Sequence, residues 1–481
     1  MVGRKHEIEE LHKIYNSNKA ELVAVYGRRR IGKTYLVDEA FKNRITFRHA
    51  GLSPIEAKEH KGSLLKQQLQ HFYFSLQLQG FPKSHRPESW LEAFFMLEQL
   101  LQSKDNGERQ LVFLDELPWM DTPQSGFITA FEGFWNTWAC HRSNLMVIVC
   151  GSANSWILDK LINNHGGLYN RVTYEIKLSP FTLSECKEFL ESKQVKLSDY
   201  DITQSYMILG GVPFYLGYFE KGRSLAQTTD TLFFQSNAKL KDEYNRLFES
   251  GFSNPEAMKT LVKFLSKRNA GYTRKEIVEN LKITDSGHLS KNLKALIASD
   301  FVLEYVPFGL SKREVHYKLI DPFCKFALKF VNEKSSLDEA FWQQNETSAQ
   351  ITSWRGFAFE NVCFNHIRQI KAALGISGVS TTQSAWSKRA SEKDEDGAQI
   401  DLIISRKDNI VNMCEIKFFS KEFTVEKSYH STLVERQSLI SSLIPKKSIV
   451  HSTLITTYGL TYNEYSGDFV NTITLSDLFK D

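Results

Sequence analysis

The stretch Gly27-Arg28-Arg29-Arg30-Ile31-Gly32-Lys33-Thr34 comes straight after the apolar run Glu21-Leu22-Val23-Ala24-Val25-Tyr26, and it constrains this chain more than any other feature. The spacing is GxxxxGKT, set between a buried strand and a helix that continues through Tyr35-Leu36-Val37. Two glycines let the backbone fold tightly, so that its N–H groups and the positive end of the following helix face one anion. Lys33 then reaches the β- and γ-phosphates of a nucleotide, and the Thr34 hydroxyl serves magnesium. The binding loop is read as Gly27 to Tyr35, with Arg28, Arg29, Arg30 and Ile31 between the glycines. ATP and Mg2+ are the expected cofactors.

A second apolar run, Leu111-Val112-Phe113-Leu114, ends in Asp115-Glu116. Asp115 is expected to support magnesium and Glu116 to polarise the attacking water, the step that separates a hydrolase from a passive nucleotide binder. A third run, Leu145 to Cys150, leads into Gly151-Ser152-Ala153-Asn154. Ser152 either senses the γ-phosphate or caps a helix that begins near Ser155. Arg171 follows Gly166-Gly167 and has two readings. It stabilises transition-state charge, in its own site or in a neighbour's within a homo-oligomer, or it forms a surface salt bridge.

Together these residues resemble the AAA+-related archaeal-type ATPases, in the branch that includes signal-transduction NTPases and origin-recognition-like proteins. Gly3-Arg4 with Glu7-Ile8 resembles that group's adenine-side box, although Lys5-His6 intervene. Leu178-Ser179-Pro180-Phe181 with Glu185 resembles its post-sensor segment, and Gly210-Gly211-Val212-Pro213 the start of its lid. The resemblance implies an α/β fold, with a P-loop parallel sheet over 1–178 and a helical lid over 179–250.

A chain of 481 residues is too long for one hydrophobic core. With 42% hydrophobic and 24% charged residues it has the balance of an ordinary globular protein. No run is apolar for long enough to cross a bilayer and none marks an N-terminal leader, so no membrane role and a cytoplasmic location are expected. The six cysteines are widely spaced, which predicts buried thiols rather than disulfides or a zinc site. A net charge of +4 over this length attracts nucleic acid only if it is concentrated. Across 256–320, 12 Lys or Arg oppose 7 Asp or Glu.

That basic window falls in a predicted winged-helix domain, 251–331. Apolar spacing gives one helix over Glu256–Leu265, a second capped by Thr273, and a third over Ser286–Ser299 whose Leu289, Leu293, Leu296 and Ile297 face inward. Strands over 301–306 and 315–319 flank a turn at Gly309. Such a domain either places its third helix on DNA, with Lys291, Asn292 and Lys294 projecting, or packs between other domains. The aromatic-rich stretch Asp321 to Phe330 reads as a core helix and Asn332 to Ser336 as a linker.

From Gly356 the order is helix, strand, strand, helix, strand. Gln399-Ile400-Asp401-Leu402 carries one acid, and Met413-Cys414-Glu415-Ile416-Lys417 sets Glu415 and Lys417 on one strand face. Here the sequence resembles the PD-(D/E)xK restriction-endonuclease-like superfamily, over 345–481. The resemblance implies that Asp401 and Glu415 bind magnesium, that Lys417 positions the attacking water, and that Glu360 or Gln437 adds a contact. The alternative is a salt-bridged Asp401/Lys417 pair in a domain that no longer cuts. The expected function is an ATP-hydrolysing, DNA-acting protein with a magnesium-dependent nuclease-like domain, in genome defence or mobile-element control by analogy. The runner-up is a regulatory NTPase that binds DNA or protein without cleavage.

Overall fold

The computed structural model describes residues 2–53, 63–163, 166–252, 254–311, 313–332, 338–388 and 398–480. Lys312 and residues 333–336 of the predicted linker lie outside them. The chain divides into two compact units, Met1–Ser179 with Glu249–Ser253, and Pro180–Phe248 with Asn254–Asp481.

The first unit is built on five parallel strands: β1 (Glu21–Tyr26), β2 (Phe47–Ala50), β3 (Gln110–Asp115), β4 (Leu145–Gly151) and β5 (Tyr174–Lys177), in the order β2-β3-β4-β1-β5. Every residue of β1, β3 and β4 is buried, as expected of central parallel strands covered on both faces. Alternation sorts their side chains between two cores. Leu22, Ala24, Val112, Leu114, Val147 and Val149 enter one, while Val23, Val25, Leu111, Phe113, Met146 and Ile148 enter the other. The first core is aromatic, with Phe72, Trp90, Phe94, Phe127 and Phe131 from the helices Leu64–Leu78, Trp90–Ser103 and Phe127–Thr137. Burying each Leu or Phe contributes about 1.5–3 kcal/mol. That burial holds the three central strand ends, and with them the loop, Asp115–Glu116 and Ser152, at one edge of the sheet.

The second unit opens with helices only: Leu183–Ser192, Asp199–Leu209, Pro213–Leu216 and Leu225–Phe233. The helix Pro255–Leu265 follows Asn254, whose side chain caps it by accepting from Ala257 N–H at 3.3 Å. Thr273 and Glu276 form a reciprocal capping box on the helix Arg274–Leu281. The helix Gly287–Ala298 and a three-stranded antiparallel sheet complete this region. The sheet runs β6 (Tyr272–Thr273), β8 (His316–Leu319), β7 (Val302–Tyr305). The aromatic stretch forms the helix Pro322–Phe326 and a π-helical turn, burying Phe323, Phe326 and Phe330.

A second five-stranded sheet then runs in the order β13-β12-β11-β10-β9, from β9 (Thr381–Lys388), β10 (Ala398–Arg406), β11 (Ile410–Lys417), β12 (Ile449–Thr456) and β13 (Asn471–Ile473). β9, β10 and β11 are antiparallel neighbours, and β11, β12 and β13 are parallel. The helix Lys427–Leu443 packs Leu433 and Ile440 against one face, in a core with Ile400, Ile403, Met413 and Leu454. The helix Ala349–Asn365 carries Glu360. No helix among the described residues is long and apolar enough to cross a membrane.

Candidate functional site

The loop after β1 needs its glycines. Gly27 has φ +153°, and a Cβ there would meet the Leu178 carbonyl oxygen at 2.3 Å and Ile31 Cδ1 at 2.4 Å. Gly32 has φ +89°, in the left-handed region that favours glycine. The helix Lys33–Phe41 begins directly on it. Lys33, only 6% exposed, donates from Nζ to the carbonyls of Gly27 at 3.0 Å and Arg28 at 3.1 Å. Burial pushes its pKa down, against the pull of Glu116, Cys150 and Asp115. An ammonium held by two neutral carbonyls at the start of a helix is matched to an anion, so the loop fits a nucleotide triphosphate. Arg28 and Ile31 are buried, Arg29 and Arg30 half-buried, and Tyr35 is exposed.

Thr34 Oγ1 donates to Asp115 Oδ2 at 2.7 Å, joining the loop to the end of β3 in the hydroxyl–carboxylate pairing that suits a magnesium ion. Asp115 Oδ1 accepts from Glu116 N–H at 2.9 Å. Glu116 Oε2 accepts from both Ser152 N–H, at 3.0 Å, and Ser152 Oγ–H, at 2.9 Å. The capping alternative for Ser152 gives way here: the helix Asn154–Ile157 starts after Ala153 without a side-chain cap, and the Ser152 hydroxyl is spent on Glu116. Sequence reasoning passed over Asn154, which is 1% exposed and whose Oδ1 accepts from Gly27 N–H at 2.8 Å. Its only signal was a small polar residue after a buried strand. Arg171 is exposed and forms no ion pair with the described residues, so the surface salt bridge is not found.

In the second unit the register of β10 against β11 pairs Leu402 with Cys414, which brings Asp401 beside Glu415. Asp401 Oδ2 accepts from Ile416 N–H at 3.2 Å. Burial raises its carboxyl pKa, and the Glu415 charge raises it further. Glu415 is fully buried and heavily partnered. Arg436 Nη1 donates to both of its oxygens at 2.7 Å, Tyr429 OH donates to Oε2 at 2.7 Å, and Lys417 Nζ stands 3.7 Å from Oε2. Gln437, the residue expected on that helix, is exposed; its neighbour Arg436 reaches the core instead. With both Glu415 oxygens on a guanidinium, the pair as arranged does not fit a two-carboxylate magnesium site. Among the described residues no group of three or more His, Cys, Asp or Glu could hold a metal ion.

Glu360 also sits differently from a simple ligand. It is 6% exposed, and its Oε2 accepts from Asn269 Nδ2, while Lys325 Nζ donates to Asn269 Oδ1 at 2.5 Å. Burial, then Asp401, lifts its pKa to about 7 against the pull of Lys318, Lys325 and Lys417. Burial, then Lys318, lowers Lys325 to about 7. These partners come from the middle region, over ninety residues before Glu360 in the case of Asn269, so no local motif marks them.

Residues 1–219 match the family described as an ATPase domain predominantly from Archaea. An uncharacterised protein of Methanocaldococcus jannaschii is 24% identical over 436 residues, 89% of this chain and 90% of the relative. An uncharacterised ATP-binding protein of the same organism is 49% identical over 43 residues, 9% of this chain and 73% of the relative. The solved structure of a Walker-type ATPase of Pyrococcus abyssi aligns with 68% of this chain and 96% of its own at 18% identity, with a TM-score of 0.46. The family match spans the loop, the acidic end of β3 and Ser152, so the similarity to an archaeal-type ATPase domain covers the residues gathered at this edge of the sheet.

Proposed function

We propose that this protein is an ATP-driven regulator that binds DNA through its second unit and holds it without cutting. In the ATPase domain, Lys33 and the loop N–H groups hold the phosphates, Thr34 and Asp115 hold magnesium, and Glu116 accepts the proton of the attacking water. Bound ATP with magnesium supplies the phosphoanhydride and the charge that polarises it. Residues 251–331 read as a winged helix whose helix Gly287–Ala298 carries the exposed Lys291 and Lys294. Residues 345–481 read as a restriction-endonuclease-like domain. The observation that carries the non-cutting reading is the grip of Arg436 on both oxygens of Glu415, reinforced by Tyr429.

Cleavage is the second reading, favoured by the gathering of Asp401, Glu415 and Lys417 on two adjacent strands. It requires Arg436 to release Glu415. Incubating the full chain with duplex DNA, ATP and magnesium or manganese separates the two. Binding without scission is expected. Scission by the wild-type protein that Asp401→Ala and Lys417→Ala both abolish, with ATP turnover intact, would overturn the first reading in favour of the second.

A further inference from the structure

A cavity of about 940 Å³ opens in the second unit between the segment Ser266–Ala270, the π-helical turn Ala327–Val331 and one face of the helix Ala349–Asn365. Its charge is one-sided. Lys267, Arg268, Lys325 and Lys329 line it, and the one carboxylate among the lining residues, Glu276, is held by Arg268 at 2.9 and 2.6 Å. Lys267 and Lys329 are exposed at its mouth and form no ion pair with the described residues. Lys325 lies deeper, its ammonium on Asn269. A concave surface on which the exposed Lys267 and Lys329 are left uncompensated by carboxylates is matched to an anion rather than to a metal ion.

Another part of the lining is aromatic and rigid. Gln350, Ser353, Trp354 and Phe357 recur at the spacing that puts them on one helix face. Trp354 is locked edge-on against Phe326, Phe330 and Trp342, with ring centroids 5.6, 5.3 and 5.8 Å away. Phe357, one turn on, is 49% exposed and offers its ring to the cavity. Asn269, Ala270, His316 and Gln399 continue from the cavity into a second space of about 20 Å³, room for one water, whose lining includes Lys318, Glu360 and Asp401.

Lysine side chains and an exposed aromatic ring lining one cavity of this size are the pairing that recognises a phosphate joined to a planar base. We propose that this cavity binds a nucleotide unit, its phosphate among Lys267, Lys325 and Lys329 and its base against Phe357. The site is separate from the P-loop and from the duplex contact at Lys291 and Lys294. It stands whether or not the Asp401 centre cuts. The nucleotide unit comes either from a single-stranded nucleic acid or from a free mononucleotide.

The test uses the full chain in EDTA and low salt, with a fluorescent 5′-phosphorylated oligothymidylate of eight residues as probe, read by anisotropy. Saturable binding is expected. Lys329→Glu and Lys267→Glu should each weaken it roughly tenfold or more and flatten its salt dependence, and Phe357→Ala should weaken it roughly tenfold. All three positions are exposed, so unchanged thermal melting and ATP turnover are expected alongside. Lys33→Ala should leave oligothymidylate binding as it is, and Lys291→Glu with Lys294→Glu should weaken a duplex probe alone, which keeps a failure of this site distinct from a failure of the duplex reading. Competition by thymidine monophosphate at concentrations near the oligonucleotide's own marks a free nucleotide as the ligand, and competition only by longer strands marks single-stranded nucleic acid. No binding of either probe, or equal binding by wild type and all three cavity variants, overturns the proposal.

Discussion

Glu116 holds φ at 46° and ψ at 48°, a left-handed conformation that costs a residue with a side chain about 1–3 kcal/mol. Asp115 Oδ1 on its N–H and Ser152 on its carboxylate offset that cost and aim the carboxylate. Removing each group alone should therefore have a distinct signature. Lys33→Ala deletes a charge-assisted donor to phosphate and should weaken ATP binding by about 10- to 100-fold. Glu116→Gln keeps the side-chain shape but loses the proton acceptor, so binding should persist while turnover falls by about 10²- to 10⁴-fold. Ser152→Ala should lower turnover only a few-fold, since the Ser152 N–H still holds Glu116, the loss of one hydroxyl hydrogen bond being worth about 1 kcal/mol. Equilibrium binding of a fluorescent ATP analogue beside steady-state phosphate release checks all three. Equal turnover in wild type and Glu116→Gln would remove Glu116 from the chemistry. The loop and the acidic pair were legible because their residues are contiguous in the chain. Asn154 reaches Gly27 across 127 positions and Arg436 reaches Glu415 across 21, and neither carries a motif.

At the scale of elements, the helix Ala349–Asn365 ends at His366, a fully buried side chain that also anchors the start of the helix Leu183–Ser192. Its Nδ1–H donates to Val362 O at 2.7 Å and its Nε2 accepts from Leu183 N–H at 2.9 Å. That arrangement requires the neutral ring, and burial lowers the pKa to about 4 despite the Val362 carbonyl. The folded value lies below the unfolded one, so the unfolded chain gains the proton first as pH falls below about 6.5. The stability from His366 is complete above that pH and is lost progressively towards pH 4, by roughly 2 kcal/mol between pH 7 and pH 5. Urea unfolding of wild type and His366→Gln at both pH values measures it. The variant should be less stable at pH 7 and lose less on acidification; parallel losses would assign the effect to other groups. The sequence revealed the elements whose apolar pattern is strong, such as β1, β3, β4 and β11. It passed over β2, β6, β9 and β13, and each of these lies at the edge of its sheet. An edge strand buries less and so needs fewer apolar residues; Thr381-Thr382-Gln383-Ser384 in β9 reads as loop until β10 pairs with it. The basic excess of 256–320 was legible as composition but not as surface. Arg268 is taken by Glu276, Arg274 by Asp285 and Lys259 by Glu256, and Lys318 is buried, so Lys291 and Lys294 carry more of the exposed charge than the tally implies.

At the scale of the whole molecule, Arg171 is a cation with no charged partner among the described residues. Arg171 follows the turn that Leu168 anchors, its N–H donating to the Leu168 carbonyl at 3.1 Å, and its guanidinium projects from an exposed position with no carboxylate of the described residues to hold it. An exposed, unpaired arginine contributes little to stability, so its replacement should leave folding within about 0.5 kcal/mol of wild type. If it supplies charge to a neighbouring subunit's nucleotide, assembly and hydrolysis are coupled: turnover per molecule rises with protein concentration and levels off when the oligomer is complete. Arg171→Ala should then lower the plateau by about 10³-fold or more while ATP binding is unchanged, the contribution of an arginine to phosphoryl transfer being of that order. Mixing Arg171→Ala with Glu116→Gln gives a sharper outcome, because interfaces that pair an intact Glu116 on one subunit with an intact Arg171 on the next regain turnover that neither variant has alone. Phosphate release measured across a dilution series, with and without mixing, decides it. Turnover independent of concentration, with no recovery on mixing, confines Arg171 to its own subunit or removes it from the reaction.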